Sequence, residues 1–286
     1  MEPFGIVILK ILFSLIKIEH TLFALPLAFT GAVLGARGWP PILVLLLMAV
    51  AFTAARASAM AFNRIADRHL DAQNPRTADR EIPSGALSVP KVWLLIIVSI
   101  VVFLAVSWAI NPLCGKLAPF ALIVLLGYSY TKRFTHLCHY LLGLALGMAP
   151  VAGWIAVTGS FAPAPMVLGL GVIFWTAGFD TLYACQDVEF DRNMGLHSIP
   201  ARFGTKKALK IAALSHMAAF LLFILAGALS SLGVGFYIFS IITGALLIWE
   251  HRLITPDDLT HLDMAFFKVN SLVSGSLLLA VIAGLF

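Results

Sequence analysis

Residues 56–85 read RASAMAFNRIADRHLDAQNPRTADREIPSG. The stretch opens inside an apolar run and closes in a loop dense with Arg and Asp. Asn63, Asp67 and Asp71 recur every four residues, so on a helix they share one face. Arg56 lies seven residues before Asn63, about two turns back along that face. An apolar helix with an acidic stripe at its mouth, backed by Arg68, Arg76 and Arg80, needs a reason to exist. The simplest is a multiply charged anion held partly through a divalent metal.

Outward from this stretch, composition sets the solvent. The 286 residues are 60% hydrophobic and 12% charged, against about 25% charged for an ordinary soluble domain. Apolar runs able to span a bilayer fall near 12–36, 41–62, 91–110, 117–131, 139–158, 163–184, 208–229, 232–249 and 264–285. The expected fold is therefore all-α and polytopic, about nine transmembrane helices in one domain over 1–286. Pro40–Pro41, Asn111–Pro112 and Pro256 mark loops, and no β pattern competes. The first run lacks a convincing small-residue cleavage site and reads as a retained span. Cys114, Cys138 and Cys185 have neither C-x-x-C pairing nor metal spacing, so small apolar packing is their reading.

The net charge of +5 points to nucleic acid only in a soluble chain. In a membrane, the distribution of basic residues decides orientation. Arg64, Arg68, Arg76, Arg80 and Lys91 follow helix two, and Lys132 and Arg133 follow helix four. Arg192, Arg202, Lys206, Lys207 and Lys210 follow helix six, and Arg252 and Lys268 follow helix eight. The alternate links carry only Arg37 and Lys116. The even-numbered links are thus expected in the cytoplasm, with the N-terminus near Lys10 and Lys17.

A second acidic set, Asp187 and Asp191 in YACQDVEFDRN, repeats the i, i+4 spacing after helix six, with Glu189 off their face. Both sets lie on the expected cytoplasmic side, so a folded bundle can bring them across one cavity. Carboxylates so spaced suit Mg²⁺ in a partly hydrated shell, completed by substrate phosphate. The plainer alternative is a solvated helix end whose Asp residues pair with neighbouring Arg. Arg56 near the middle of an apolar helix costs about 2.5–3.5 kcal/mol on insertion scales, so it should face a polar cavity rather than snorkel. Asp180, seven before Asp187, is its counterpart on helix six. In GYSYTKR, Lys132 is placed to meet an anion and Tyr128 to offer a π face to a cation; interfacial anchoring is the plainer reading of that pair. His136, His139, His216, His251 and His261 show no metal-ligand spacing and receive no role. P-loop, G-x-S-x-G and H-E-x-x-H patterns are absent from the sequence.

Taken together, these motifs resemble the UbiA superfamily of intramembrane aromatic prenyltransferases. The family's N-D-x-x-D-x-x-x-D and R-T-x-x-R-P-L-x-S-G read NRIADRHLDAQNPRTADREIPSG here. Its D-T-x-Y-A-x-x-D-x-x-x-D reads DTLYACQDVEFD, and Y-x-x-x-K-R reads YSYTKR. The resemblance covers nearly the whole chain. It implies a helical bundle around a central cavity, with the active site on the cytoplasmic side, in a bacterial inner membrane. It further implies Mg²⁺-dependent transfer of a prenyl group from a polyprenyl diphosphate to an aromatic ring, with no nucleic-acid partner. Asn63, Asp67, Asp71, Asp187 and Asp191 would form the metal site. Arg68, Arg76, Arg80, Lys132 and Arg64 would hold the diphosphate, with Arg56 and Arg133 also on substrate, and Tyr128, Asp180 and Tyr183 would line the reacting centre.

The chain departs from the pattern in places. Arg64 replaces the usual Asp after Asn63, and a guanidinium is expected on the diphosphate or a neighbouring Asp rather than in the metal shell. Lys17 and EHTLF stand where relatives often carry an Arg and K-P-x-G, and His197 stands where many have Lys. The N-R-I-x-D-R form resembles a bacterial subgroup labelled 4-hydroxybenzoate polyprenyltransferase-like. This implies a small hydroxylated aromatic acid, 4-hydroxybenzoate or a dihydroxynaphthoate, as acceptor in ubiquinone or menaquinone synthesis. Haem, chlorophyllide and homogentisate acceptors are alternatives. An ion or solute transporter is a reading from another class, but it calls for polar residues on both membrane sides, and here they gather on one. A CDP-alcohol phosphotransferase needs one D-G-x-x-A-R block, which the chain lacks.

The charge distribution makes a direct prediction. In a cysteine-free background, single cysteines at Gln73 and Asn193 should resist membrane-impermeant thiol labelling of intact cells, while one at Gly159 should react. The reverse pattern would invert the orientation.

Overall fold

Hydrocarbon offers backbone groups no partner, so a chain this apolar must close its hydrogen bonds within helices. The computed structural model describes residues 11–286 except 257 and 263, with residues 18–23 described by their backbone alone. Lys10 and the EHTLF side chains lie outside the described residues. The long helices are α1 (Ile18–Ala36), α2 (Ile42–Ala66), α3 (Val89–Ile110), α4 (Pro112–Gly127) and α5 (Cys138–Thr158). They continue with α6 (Pro163–Tyr183), α7 (Thr205–Leu229), α8 (Val234–Leu253) and α9 (Asn270–Leu285). Among the described residues no strand forms, and eight helices are long and apolar enough to cross a membrane; Ala24–Ala36 adds a shorter apolar helix. The chain is an all-α, multi-pass membrane protein.

Several boundaries differ from the sequence reading, two of them for a plain local reason. The first run is broken at Lys17, whose φ of 48° lies in the left-handed region and cannot continue a right-handed ladder. The fourth helix starts five residues earlier than expected, at Pro112. Asn111 accepts the Cys114 N–H at 2.9 Å and Pro112 fills the first turn, where its missing N–H costs nothing. The Asn111–Pro112 pair is a helix start rather than part of a loop.

α6 is the most buried span, 61% of its apolar window, and α3 the least, 17%, which puts α6 at the centre and α3 against lipid. α6 packs between α5 and α7, α1 crosses α5, and α8 pairs with α9, which returns to α1. This ring encloses a core built on Trp175, Phe223, Phe236 and Leu27. α2, α3 and α4 form a flank beside it, and between flank and ring lies a large apolar cavity of about 760 Å³.

The α1–α5 crossing is a backbone-to-backbone contact. A Cβ at Gly153 would collide with the Ala28 carbonyl oxygen, and one at Gly31 with that of Pro150. Small residues at such crossings let helices approach where no hydrophobic drive separates protein from lipid. Gly153→Val should therefore destabilise the bundle by about 1–3 kcal/mol, read as a lower melting temperature of the detergent-solubilised protein. An unchanged melting temperature would show that the crossing is not tight.

Candidate active site

The C-terminal ends of α2, α4 and α6 converge, and each ends irregularly. α2 stops at Ala66, Asp67 takes non-helical angles, and a short helix Arg68–Asp71 follows. α4 tightens into a 3₁₀ segment, Tyr128–Arg133. α6 passes through a 3₁₀ turn, Ala184–Asp187, into a short helix, Val188–Asn193. These breaks turn the side chains inward around a polar pocket of about 230 Å³. Asn63, Asp67 and Asp71 line it although the helix carrying them is interrupted, and Asp187 and Asp191 face them from the other side. The two acidic sets do meet across one cavity.

Each carboxylate facing the pocket at the first set or at Asp187 has a cation. Arg76 grips Asp187 through two bonds, Nε to Oδ1 at 3.0 Å and Nη2 to Oδ2 at 2.6 Å. Asn74 adds Nδ2 to Asp187 Oδ1 at 3.2 Å. Arg80 Nη1 reaches Asp71 Oδ1 at 2.7 Å. Lys132 Nζ lies 3.3 Å from Asp67 Oδ2, and Asn63 Nδ2 donates to the same oxygen at 3.2 Å. The neighbouring Arg–Asp pairing that the plainer reading foresaw is present at Arg80–Asp71, and a second pair, Arg76–Asp187, ties the two loops together.

The basic residues expected at the anion separate into two groups. Arg76, Arg80 and Lys132 line the pocket; Arg56, Arg64, Arg68 and Arg133 do not. Arg64 is buried, with Nε 3.9 Å from Glu81 Oε2, because its position about 100° round α2 turns it from the pocket toward the following loop. Arg68 Nη1 donates back to the Ile65 carbonyl at 3.0 Å. Arg133 supports Asp67 from outside, donating to Oδ1 at 3.3 Å and to the Ala66 carbonyl. Arg56 lines the large apolar cavity instead of a polar one, and its Nε is buried with no hydrogen-bond partner.

Tyr128 and Leu142 line both cavities, so a charged pocket and an apolar chamber share one wall. Asp180 and Tyr183 line the polar side. His139, given no role from the sequence, also lines it. Its Nδ1 lies 2.6 Å from Asp180 Oδ2, and its Nε2 accepts the Ile199 N–H at 3.3 Å, so Nδ1 carries the proton given to Asp180. Asn74 and Thr77 were missed as well. They are neutral residues inside the quoted stretch, and Thr77 Oγ1 donates to the Asp71 carbonyl at 3.1 Å.

A divalent ion fits this donor set. Asp71 Oδ2 is buried without a hydrogen-bond partner, leaving a carboxylate oxygen free to ligate. Among the described residues no three His, Cys, Asp or Glu side chains group closely enough to hold a metal alone. That arrangement suits Mg²⁺, which commonly takes one or two carboxylates and fills its octahedron with water and substrate phosphate.

Residues 24–272 match the UbiA prenyltransferase family. The chain belongs to that family. It is 32% identical over 257 residues to the 4-hydroxybenzoate octaprenyltransferase of Yersinia pseudotuberculosis, covering 90% of this chain and 86% of that protein. The enzyme of the same name from Serratia proteamaculans is 31% identical over the same length. The apo structure of a UbiA homolog from Aeropyrum pernix K1 superposes with a TM-score of 0.84 at 33% identity, over 92% of this chain and 97% of that one. A UbiA homolog from Archaeoglobus fulgidus, solved bound to GPP and Mg²⁺, shares the fold with a TM-score of 0.73 at 22% identity, over 95% and 99%. As a UbiA-family member, the protein is a membrane-embedded prenyltransferase.

The placement of the basic residues separates structural from pocket-lining roles. Arg64→Ala should leave the KM for prenyl diphosphate within about twofold of wild type while lowering the melting temperature, because it strips Glu81 of its nearby cation. Arg80→Ala should raise that KM about tenfold or more, since an ionised partner of a charged ligand is removed. Steady-state kinetics on both variants checks the pair.

Proposed function

We propose that this UbiA-family enzyme transfers a polyprenyl group from its diphosphate to the ring of a small hydroxylated aromatic acid. The observation that carries the reading is the shared wall at Tyr128. A 230 Å³ charged pocket joined to a 760 Å³ apolar chamber matches a substrate with a charged head and an apolar tail. The diphosphate sits among Arg76, Arg80 and Lys132, and the first isoprene units lie in the chamber, with a longer tail continuing into the bilayer. Asn63, Asp67, Asp71, Asp187 and Asp191 are the residues that would hold Mg²⁺. When bound, the ion would neutralise charge on the diphosphate oxygens and so improve the leaving group.

On binding, Arg76, Arg80 and Lys132 exchange their carboxylate partners for phosphate oxygens, which leaves Asp187, Asp71 and Asp67 free to ligate. The allylic carbon–oxygen bond then breaks, and its electron pair departs with diphosphate. Tyr128, at the boundary, presents its ring to the allylic cation, and the apolar chamber keeps water from it. A ring carbon of the acceptor attacks, and the displaced ring proton passes to Asp180, held in place by His139. Arg56, with an unpaired buried Nε beside Tyr128, is the group suited to an acceptor carboxylate. Relatives named 4-hydroxybenzoate octaprenyltransferase support 4-hydroxybenzoate as that acceptor, with a dihydroxynaphthoate as the other member of the same class. The whole chain would act as one domain in a bacterial inner membrane, N-terminus and pocket on the cytoplasmic side, as the basic residues favour.

Purified protein with Mg²⁺, radiolabelled polyprenyl diphosphate and a panel of aromatic acids should label a hydroxylated aromatic acid, and chelation should abolish transfer. Asp67→Ala and Asp187→Ala should each remove nearly all activity. Arg56→Leu should raise the KM for the acid about tenfold or more and leave that for prenyl diphosphate near wild type. Full activity of either Asp variant would overturn the site, and an unchanged acid KM would remove Arg56 from the acceptor.

A further inference from the structure

Beyond the residues that touch substrate, one buried polar group lies in a place that packing alone does not call for. Asn270 opens α9 and is fully buried. Its Oδ1 accepts the indole N–H of Trp175 at 2.9 Å. Its amide has two hydrogens for three acceptors: Glu250 Oε1 at 3.1 Å, and the carbonyls of Ala265 and Phe266 at 3.2 and 3.0 Å. Glu250 is itself buried in α8, with Oε1 spent on this contact and Oε2 3.6 Å from His216 Nδ1. An apolar residue would fill the position without burying polar groups.

What the amide holds is the turn Met264–Val269, which is π-helical. The wider π ladder is rare and recurs at functional sites, because its backbone bonds are less favourable than those of an α-helix. Here the turn presents Phe266 to α6. Its ring lies 4.2 Å from that of Tyr183, tilted by 32°, and meets Phe179 edge-on at 5.5 Å. Tyr183 also carries the Arg76 guanidinium 5.5 Å from its centroid. Arg76 is the residue that binds Asp187 bidentately. Asn270 is therefore linked to the pocket through Phe266, Tyr183 and Arg76 in unbroken contact.

We propose that Asn270 is a positioning residue for prenyl transfer: by pinning the π turn it sets Phe266 against Tyr183 and so places Arg76 for the diphosphate. This rests on the functional reading above. Its signature is a selective effect on the charged substrate. An acceptor at the Arg56–Tyr128 side stands apart from this line of contacts and is not affected by it.

The test uses the full-length protein reconstituted in lipid, as wild type, Asn270→Ala, Phe266→Leu and the double variant. Each single variant should raise the KM for prenyl diphosphate about tenfold with the acceptor KM unchanged. The double variant should be no worse than Phe266→Leu alone, since both substitutions cut one line of contact. Multiplying effects, or a lower melting temperature with unchanged KM, would reduce Asn270 to a packing role and overturn the proposal. If Asn270→Ala does not fold, Trp175→Phe replaces it: that change removes the indole donor to Asn270 Oδ1 while leaving a smaller aromatic ring in place, and the same non-additivity with Phe266→Leu is expected. A wild-type protein inactive with every prenyl diphosphate would overturn the functional reading, and this inference with it. An active wild type with a silent Asn270→Ala would overturn this inference alone.

Discussion

The bidentate bond between Arg76 and Asp187 joins segments 111 residues apart and closes the polar end of the bundle. Charged groups at the mouth of an apolar helix bundle cannot rely on bulk water, and each needs a partner supplied by the fold. The pairs Arg80–Asp71 and Lys132–Asp67 meet the same requirement on neighbouring walls. The pocket is thus built from mutually neutralising charges, which hold its walls at a fixed separation without filling the space between them. Charge balance would be kept if such pairs exchanged for a ligand that brings both anionic oxygens and a cation.

The same constraint explains the irregular helix ends. A regular α-helix through Asp67 would place its carboxylate, like that of Asp71, along one line on a single rod. Breaking the helix at Ala66, tightening α4 at Tyr128 and turning α6 at Ala184 instead converges side chains from three helices on one volume. These departures from helical geometry occur where backbone groups can reach water or side chains, consistent with the rule that irregular backbone in a membrane belongs beside a cavity. In the Met264–Val269 π turn, side chains meet the backbone instead: the Asn270 amide faces the Ala265 and Phe266 carbonyls, and the Ser271 hydroxyl donates to that of Phe267.

Tyr128 stands at the division between two environments of opposite character. On one side lie carboxylates and guanidinium groups; on the other, Ala, Leu, Phe and Met side chains of α2 to α6. A molecule with a charged head and an apolar tail would be oriented across that boundary by polarity alone, before any specific contact forms. Arg56 is the exception on the apolar side, and its unpaired Nε marks a second polar demand there.

Much of this was legible in the linear chain. Hydropathy and length determined an all-α membrane bundle, because hydrocarbon admits few other solutions. The i, i+4 spacing of Asn63, Asp67 and Asp71, and of Asp187 and Asp191, located the polar pocket, since helical periodicity is local and readable. Family motifs reached the class of reaction. What lay beyond reach was non-local. The spacing of Arg64, Arg68 and Arg133 says that they are near the mouth, but which way each guanidinium turns depends on where Glu81, Ile65 and Ala66 end up. His139 and Asp180 are 41 residues apart on two helices, and Asn270 meets Trp175 and Glu250 from two others; no periodicity links them. Sequence determined which residues carry charge at the membrane face, while only tertiary packing decided their partners, because a long flexible side chain takes the acceptor that the assembled bundle brings within reach.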